Sequence, residues 1–262
     1  MKNIFDFQKK KYANEKITMI TCYDFTSARI IDKTDIDCVL VGDSVAMVMH
    51  GYPDTTSATM DMMVLHTKAV SKGINNKFII SDLPFMSNRK SLSKTMSAIE
   101  SLIRAGAHAV KLEGASGNLT HIRHAVESGV PVMGHLGLTL QHIHTLGGFK
   151  VQGKDTISKN KLIRDAKLLE DAGCFALVLE CVPPDLAEEI TKTLTIPTIG
   201  IGAGPGTDGQ VLVLQDLLGL QTVIKPKFLK HYFNGDLAFT DSINHFASDV
   251  KSQDYPTKEH SY

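Results

Sequence analysis

The feature that most constrains this chain is a rhythm. Short apolar, β-branched runs recur along it: "ITMITC" (17–22), "CVLVG" (38–42), "KFIIS" (77–81), "HAVKL" (108–112), "VPVMGH" (130–135), "CFALVL" (174–179), "IPTIGIG" (196–202) and, with a weaker pattern, "LQTVI" (220–224). The stretches between them carry helical spacing. Runs this uniformly apolar fit parallel strands covered on both faces, because a strand with one wet face would alternate. About eight such units predict an α/β fold, the closed parallel (β/α)8 or TIM barrel.

A chain of 262 residues fills one barrel as a single domain, 1–262. The opening "MKNIFDFQKKKYANEK" (1–16) reads as a polar N-terminal helix, and "SQDYPTKEHSY" (252–262) as a polar tail. Three helices have legible ends. "DMMVLHTKAVSKG" stops on Gly73, a residue suited to the position just past a helix. "SLSKTMSAIESLIRAG" and "SKNKLIRDAKLLEDAG" each start on a serine and stop on Ala-Gly.

Composition narrows the function. Lys plus Arg and Asp plus Glu both number 28, so the formal charge is zero and nothing draws the chain to nucleic acid or an anionic membrane. No apolar run approaches the roughly 20 residues of a membrane span, and the start has no apolar signal core. The four cysteines, Cys22, Cys38, Cys174 and Cys181, form no C-x-x-C pair and read as small buried residues of a cytoplasmic protein.

In a TIM barrel the chemistry sits where strands end. The residues there are Tyr23 and Asp24, Asp43 and Ser44, Asp82, Lys111 with Glu113, His135, and Glu180. Any one Asp or Ser after a strand can be a helix cap. Lys111 and Glu113 cannot be explained that way: at i and i+2 they share one side of a strand, pointing inward, where a lysine is costly unless paired. Asp43, Asp82 and Glu113 are hard oxygen donors suited to Mg2+. Such an ion, chelated by a 2-oxo acid, would stabilise the charge formed when the adjacent carbon loses a proton. Glu180, ending an apolar strand with no cation near it in sequence, is the candidate base, with a pKa that burial would raise.

The motifs "TCYDFTSARI", "VLVGDSVAMVMHGY", "SDLPFM", "RAGAHAVKLEG", "PVMGHLGLTLQ", "GGFKVQG", "LVLECVP", "IPTIGIGAG" and "DGQVLV" follow one another in order over nearly the whole chain. Together they resemble the ketopantoate hydroxymethyltransferase family, of the phosphoenolpyruvate mutase and isocitrate lyase superfamily. The resemblance implies hydroxymethyl transfer from 5,10-methylenetetrahydrofolate to 2-oxoisovalerate, giving ketopantoate for pantothenate and coenzyme A synthesis. It also implies a cytoplasmic homo-oligomer, typically a decamer. By position it implies Asp43 and Asp82 as metal-binding aspartates that also face the substrate, with Glu113 as the outer or third metal carboxylate. It makes Ser44 and Lys111 keto-acid ligands, Glu180 the proton acceptor, and Tyr23 and His135 supporting pocket residues. The chain departs from the family pattern at Ala46, where Gly is usual, and at Leu140, where Pro is usual.

Other signals point elsewhere. His142 and His144 ("QHIH") fall in a loop and read as mouth-lining or solvated, not as a zinc site. "GIGAGPG" lacks the G-x-G-x-x-G spacing of a dinucleotide loop and reads as a close-packed turn. An isocitrate-like lyase would carry a cysteine in a "KxCGH"-type loop, which this chain lacks.

Overall fold

The computed structural model describes residues 1–221 and 226–262. Eight strands close into a parallel barrel in sequence order. They are β1 (Ile17–Thr21), β2 (Cys38–Val41), β3 (Phe78–Asp82), β4 (Ala109–Glu113), β5 (Val132–Gly137), β6 (Ala176–Glu180), β7 (Thr198–Ile201) and β8 (Gly209–Leu212). The helices are α1 (Ile4–Tyr12), α2 (Phe25–Ile31), α3 (Val45–Val48), α4 (Met60–Gly73), α5 (Leu92–Arg104), α6 (Leu119–Glu127), α7 (Ile143–Leu146), α8 (Thr156–Asp171), α9 (Pro184–Thr193), α10 (Leu214–Leu217) and α11 (Gly235–Ser252). The barrel belongs to a compact unit, Met1–Leu212; Val213–Tyr262 forms a second. Among the described residues no helix is long and apolar enough to cross a membrane.

The first seven strands lie within the runs read from sequence or reach up to two residues past them. The eighth does not. The expected "LQTVI" strand gives way to β8 at Gly209–Leu212, which pairs β7 on one side and β1 on the other. Residues 222–225 of that expected strand lie outside the described residues. The miss has a physical cause. A parallel crossover normally carries a helix and a dozen or more residues, yet β7 reaches β8 through residues 202–208 alone. Tight packing makes room for this short return. A Cβ on Gly209 would lie 2.4 Å from the Ile17 carbonyl oxygen, and one on Gly204 would lie 2.6 Å from the Pro184 side chain. "GIGAGPG" is thus a close-packed turn.

Strand alternation divides the barrel. Inward residues form one buried cluster that includes Ile17, Met19, Cys38, Leu40, Phe78, Ile80, Met133, Val178, Ile199 and Val211. Outward residues meet the helices, as where Ser81 and Thr67 of α4 share a hydrogen bond of 2.9 Å. The N-terminal end is plugged by α1. Asn3 caps this helix in a capping box with Asp6, and its one fully buried aromatic, Phe7, meets Phe78 and Phe175 edge-on at 5.6 and 5.1 Å. An apolar plug at that end leaves the opposite end for polar chemistry.

Helix ends follow the expected residue types with two corrections. Ser91 caps α5 as read, but α8 starts earlier than its serine, capped by Asp155. Gly73 is not a left-handed stop; it is the last residue of α4, and the next residue is extended. Glycine is needed there for space, because a Cβ would lie 2.7 Å from Ala28 Cβ and 2.8 Å from the Phe25 carbonyl oxygen of α2.

That contact decides the sign of a substitution. Gly to Ala inside a helix ordinarily gains up to about 1 kcal/mol, whereas overpacking a tight interface costs about 1–3 kcal/mol. Gly73→Ala is therefore expected to lower the denaturant midpoint at unchanged m-value; a raised midpoint would show that α2 and α4 separate at no cost.

Candidate active site

The inward columns of the barrel continue straight into the candidate residues. Ile80 leads to Asp82, Ala109 to Lys111 and Glu113, Met133 to His135, and Val178 to Glu180, each two residues on and therefore on the same side of its strand. Parallel register then sets neighbours abreast: Asp82 pairs with Lys111, and Glu113 with His135. Asp43 and Ser44 follow β2 on the same rim. Gly42 before them does not adopt a left-handed turn; it is glycine because a Cβ would lie 2.7 Å from Ser44 Oγ.

The contacts form one network. Lys111 Nζ stands 3.2 Å from Asp82 Oδ1, whose second oxygen accepts from the Asp43 backbone N–H at 3.0 Å. His135 bridges two acids, with Nδ1 3.2 Å from Glu113 Oε1 and Nε2 3.2 Å from Glu180 Oε2. Tyr23, fully buried, shares a 2.8 Å hydrogen bond between its hydroxyl and Ser44 Oγ. Asp24, by contrast, caps α2 through Ser27 and takes no part.

Charge explains the behaviour of each group. Burial works against the lysine charge, but Asp82, Glu113 and Asp43 outweigh it and hold the Lys111 ammonium well above its ordinary pKa. Burial and Lys111 oppose protonation of His135, yet its bonds to Glu113 and Glu180 prevail and push it up to about 9. Each ring nitrogen thus faces a carboxylate at 3.2 Å, which favours the protonated imidazole. Its 3.3 Å approach to Lys111 Nζ is then a like-charge contact tolerated by the surrounding acids. Glu113 is held low: burial opposes ionisation, but His135, Lys111 and the Gln141 N–H favour it. Asp43 goes the other way, raised well above a normal carboxylate by burial and by the charges of Asp82 and Glu113. Asp82 is also raised, chiefly by burial.

Reading the sequence missed the residue that ties these strands together. Gln141, in the loop after β5, donates its Nε2–H to Asp43 Oδ2 and to the Leu83 carbonyl, both at 2.8 Å, and its backbone N–H to Glu113 Oε2 at 3.0 Å. A neutral amide in an irregular loop carries no periodic signal. Asn118 was missed for the same reason; its Nδ2 donates to the Glu113 and Gly114 carbonyls at 2.8 and 3.0 Å. The H-x-H pair divides: His142 is half-buried, its Cε1 within 3.8 Å of where a Gly114 Cβ would stand, while His144 is exposed and 3.8 Å from Asp54.

The residues suit a divalent cation. Four carboxylates face two cationic groups, a formal excess of two negative charges. Asp82 Oδ1 is buried and, apart from its 3.2 Å ion pair with Lys111, makes no hydrogen bond. Both Glu113 oxygens are engaged by His135 and Gln141, so this side chain is placed to act through a water in an outer position. Among the described residues no three His, Cys, Asp or Glu side chains form a ready cage for a metal ion. Removing the tie is a direct test of its worth. Gln141→Leu strips Asp43 Oδ2 of its buried donor and is expected to cost about 1–3 kcal/mol in urea unfolding at pH 7; an unchanged midpoint would remove Gln141 from the framework.

Comparisons with known proteins agree with this architecture. A family model described as ketopantoate hydroxymethyltransferase matches residues 1–258. A 3-methyl-2-oxobutanoate hydroxymethyltransferase from Francisella tularensis subsp. tularensis (strain WY96-3418) is 56% identical over 262 residues, covering 100% of this chain and 99% of the relative. One from Bdellovibrio bacteriovorus is 55% identical and covers 100% of both chains. Among solved structures, phosphonopyruvate hydrolase in complex with oxalate and Mg++ superposes with a TM-score of 0.64 at 11% identity, covering 99% of this chain and 93% of that one. A 2,3-dimethylmalate lyase, a PEP mutase/isocitrate lyase superfamily member, gives 0.62 at 15% identity, covering 100% and 92%. The distant structures share the fold; the relatives share more than half the residues end to end, and on that ground the chain belongs to the ketopantoate hydroxymethyltransferase family.

Proposed function

We propose that this chain forms ketopantoate by transferring a one-carbon unit from 5,10-methylenetetrahydrofolate to 2-oxoisovalerate, with Mg2+ as cofactor and water supplying the hydroxyl. It acts in the cytoplasm, as a homo-oligomer of the decameric kind. The observation that carries the reading is the meeting of Lys111, His135 and four carboxylates at the C-terminal mouth.

Asp43 and Asp82 would hold the metal, with Glu113 behind it. Bound there, Mg2+ would draw charge from the 2-oxo oxygen and so acidify the C3–H bond. Lys111 stands beside Asp82 to balance the carboxylate of the keto acid, and Ser44, fixed by the buried Tyr23 hydroxyl, offers it a hydrogen bond. Glu180 takes the C3 proton. His135, 3.2 Å from Glu180, aims that carboxylate while leaving it free to act as base. Water opens the methylene bridge, breaking both of its C–N bonds; tetrahydrofolate leaves with both amines, and the carbon is freed at the formaldehyde level. The carbanion adds to it while the new alkoxide takes back a proton to become the hydroxyl. Gln141 holds Asp43 and Glu113 in place throughout.

Three outcomes test this. Turnover of 2-oxoisovalerate with methylenetetrahydrofolate is expected to stop in EDTA and return with Mg2+; persistence in chelator would refute the metal. Glu180→Gln is expected to slow, at least 100-fold, the folate-independent exchange of the C3 proton for solvent deuterium, in keeping with the loss of a positioned base. Undiminished exchange would assign proton removal to another group.

The third outcome concerns Asp43. An acid whose pKa rises on folding costs stability once the pH passes its unfolded value, increasingly so up to its folded value. Asp43→Asn is therefore expected to abolish turnover and yet raise the Tm of metal-free protein at pH 8. A lower Tm would mean that its charge is welcome without a cation.

A further inference from the structure

One cation at the mouth of the barrel has no counter-ion. Arg89, on the loop after β3, is half-buried. Its Nη1 donates to the Ser116 carbonyl at 2.5 Å and its Nη2 to the Glu113 carbonyl at 3.4 Å. Both partners are neutral, and among the described residues no carboxylate forms an ion pair with it. Glu113 lies close enough for its charge to be felt, but its oxygens are engaged by His135 and Gln141.

The seat beneath the guanidinium is built. A Cβ on Gly117 would lie 2.6 Å from Arg89 Nη1, and one on Gly114 would lie 3.6 Å from Nη2; both glycines have positive φ, +74° and +79°. The neighbouring residue Asn88 is buried and donates to Asn118 Oδ1 at 2.9 Å, and Asn118 in turn holds the Glu113 and Gly114 carbonyls. A guanidinium carries five N–H donors in a planar fork. Two carbonyls occupy only part of that set and leave a face for a bidentate acceptor. Partial burial without a paired anion is costly for such a group, and a ligand carboxylate would relieve that cost.

We propose that Arg89 is the subsite for the glutamate carboxylate of the tetrahydrofolate co-substrate. This rests on the folate reading above and assigns the far end of that molecule. The keto acid is small, and its carboxylate is met inside the barrel by Lys111 and Ser44. The co-substrate must bring its methylene carbon to C3 while its aminobenzoyl-glutamate tail runs outward. Arg89 is half-buried where Asp43, Asp82 and Glu113 are buried, and it is tied to the backbone of the loop that follows β4. On the same turn Phe85 and Met86 are each 42% exposed, giving apolar surface for an aromatic ring between pterin and carboxylate.

The test compares wild type, Arg89→Gln and Arg89→Lys with two one-carbon donors, methylenetetrahydrofolate and a methylenetetrahydropterin lacking the aminobenzoyl-glutamate. Arg89→Gln is expected to raise KM for the folate roughly tenfold to hundredfold, the range of a lost charge-assisted pair, with kcat changed far less. Arg89→Lys is expected to fall between. Neither variant should alter KM for the truncated donor or the folate-independent deuterium exchange at C3 of 2-oxoisovalerate. A folate KM within twofold of wild type in both variants overturns the proposal. So does slowed exchange or a raised keto-acid KM in folded Arg89→Gln, which would assign the guanidinium to the keto acid. Should Arg89→Gln fail to fold, Arg89→Lys decides by the same readings. Wild type that exchanges the proton but transfers nothing from methylenetetrahydrofolate sinks the folate reading itself, and this subsite with it.

Discussion

Lys111 sets the terms for everything around it. A lysine on an inward strand position can remain charged in a barrel only if carboxylates compensate for its lost hydration. Asp82 does so directly, one strand away and level in register. Glu113, two residues on, lies within reach of the same charge and is shared with His135. The imidazolium then reaches Glu180 on β6. One buried cation thereby links the ends of β3, β4, β5 and β6 into a single electrostatic unit, and the remaining excess of negative charge falls on the Asp43–Asp82 side.

That division of charge separates two functions among similar residues. Asp43 and Asp82 are pushed toward the protonated form, chiefly by burial. Glu113 is pushed toward the ionised form and is committed to neighbours. Glu180 stands at the edge of the cluster with a single cationic contact. Environment alone sets these four carboxylates apart.

The framework that maintains this cluster is distributed over the opposite end and the loops. Phe7 and its aromatic partners close the N-terminal end with apolar packing, away from the charged rim. Gln141 and Asn118 then tie the rim loops to one another through amide hydrogen bonds. Stability resides in one end of the barrel and reactivity in the other, which lets the rim tolerate repulsion that would otherwise loosen it.

The sequence by itself determined the barrel, seven of its strands and the acids and bases at their ends, because two-residue alternation and apolar runs are local properties. Lys111 and Glu113 could be read as inward because they share one strand. It did not determine β8, whose short helix-free connection breaks the usual spacing, or why Gly73 must be glycine, since the atoms that crowd it come from α2. Gln141, Asn118 and Arg89 were silent for the same reason: an amide or guanidinium in a loop acquires its role only from the carbonyls and carboxylates that folding brings to it. Tertiary structure alone decided which acids would repel, which would be paired and, among the described residues, that Arg89 would meet carbonyls and no ion-paired carboxylate, because Coulomb energy depends on distance and burial, and neither is written along the chain.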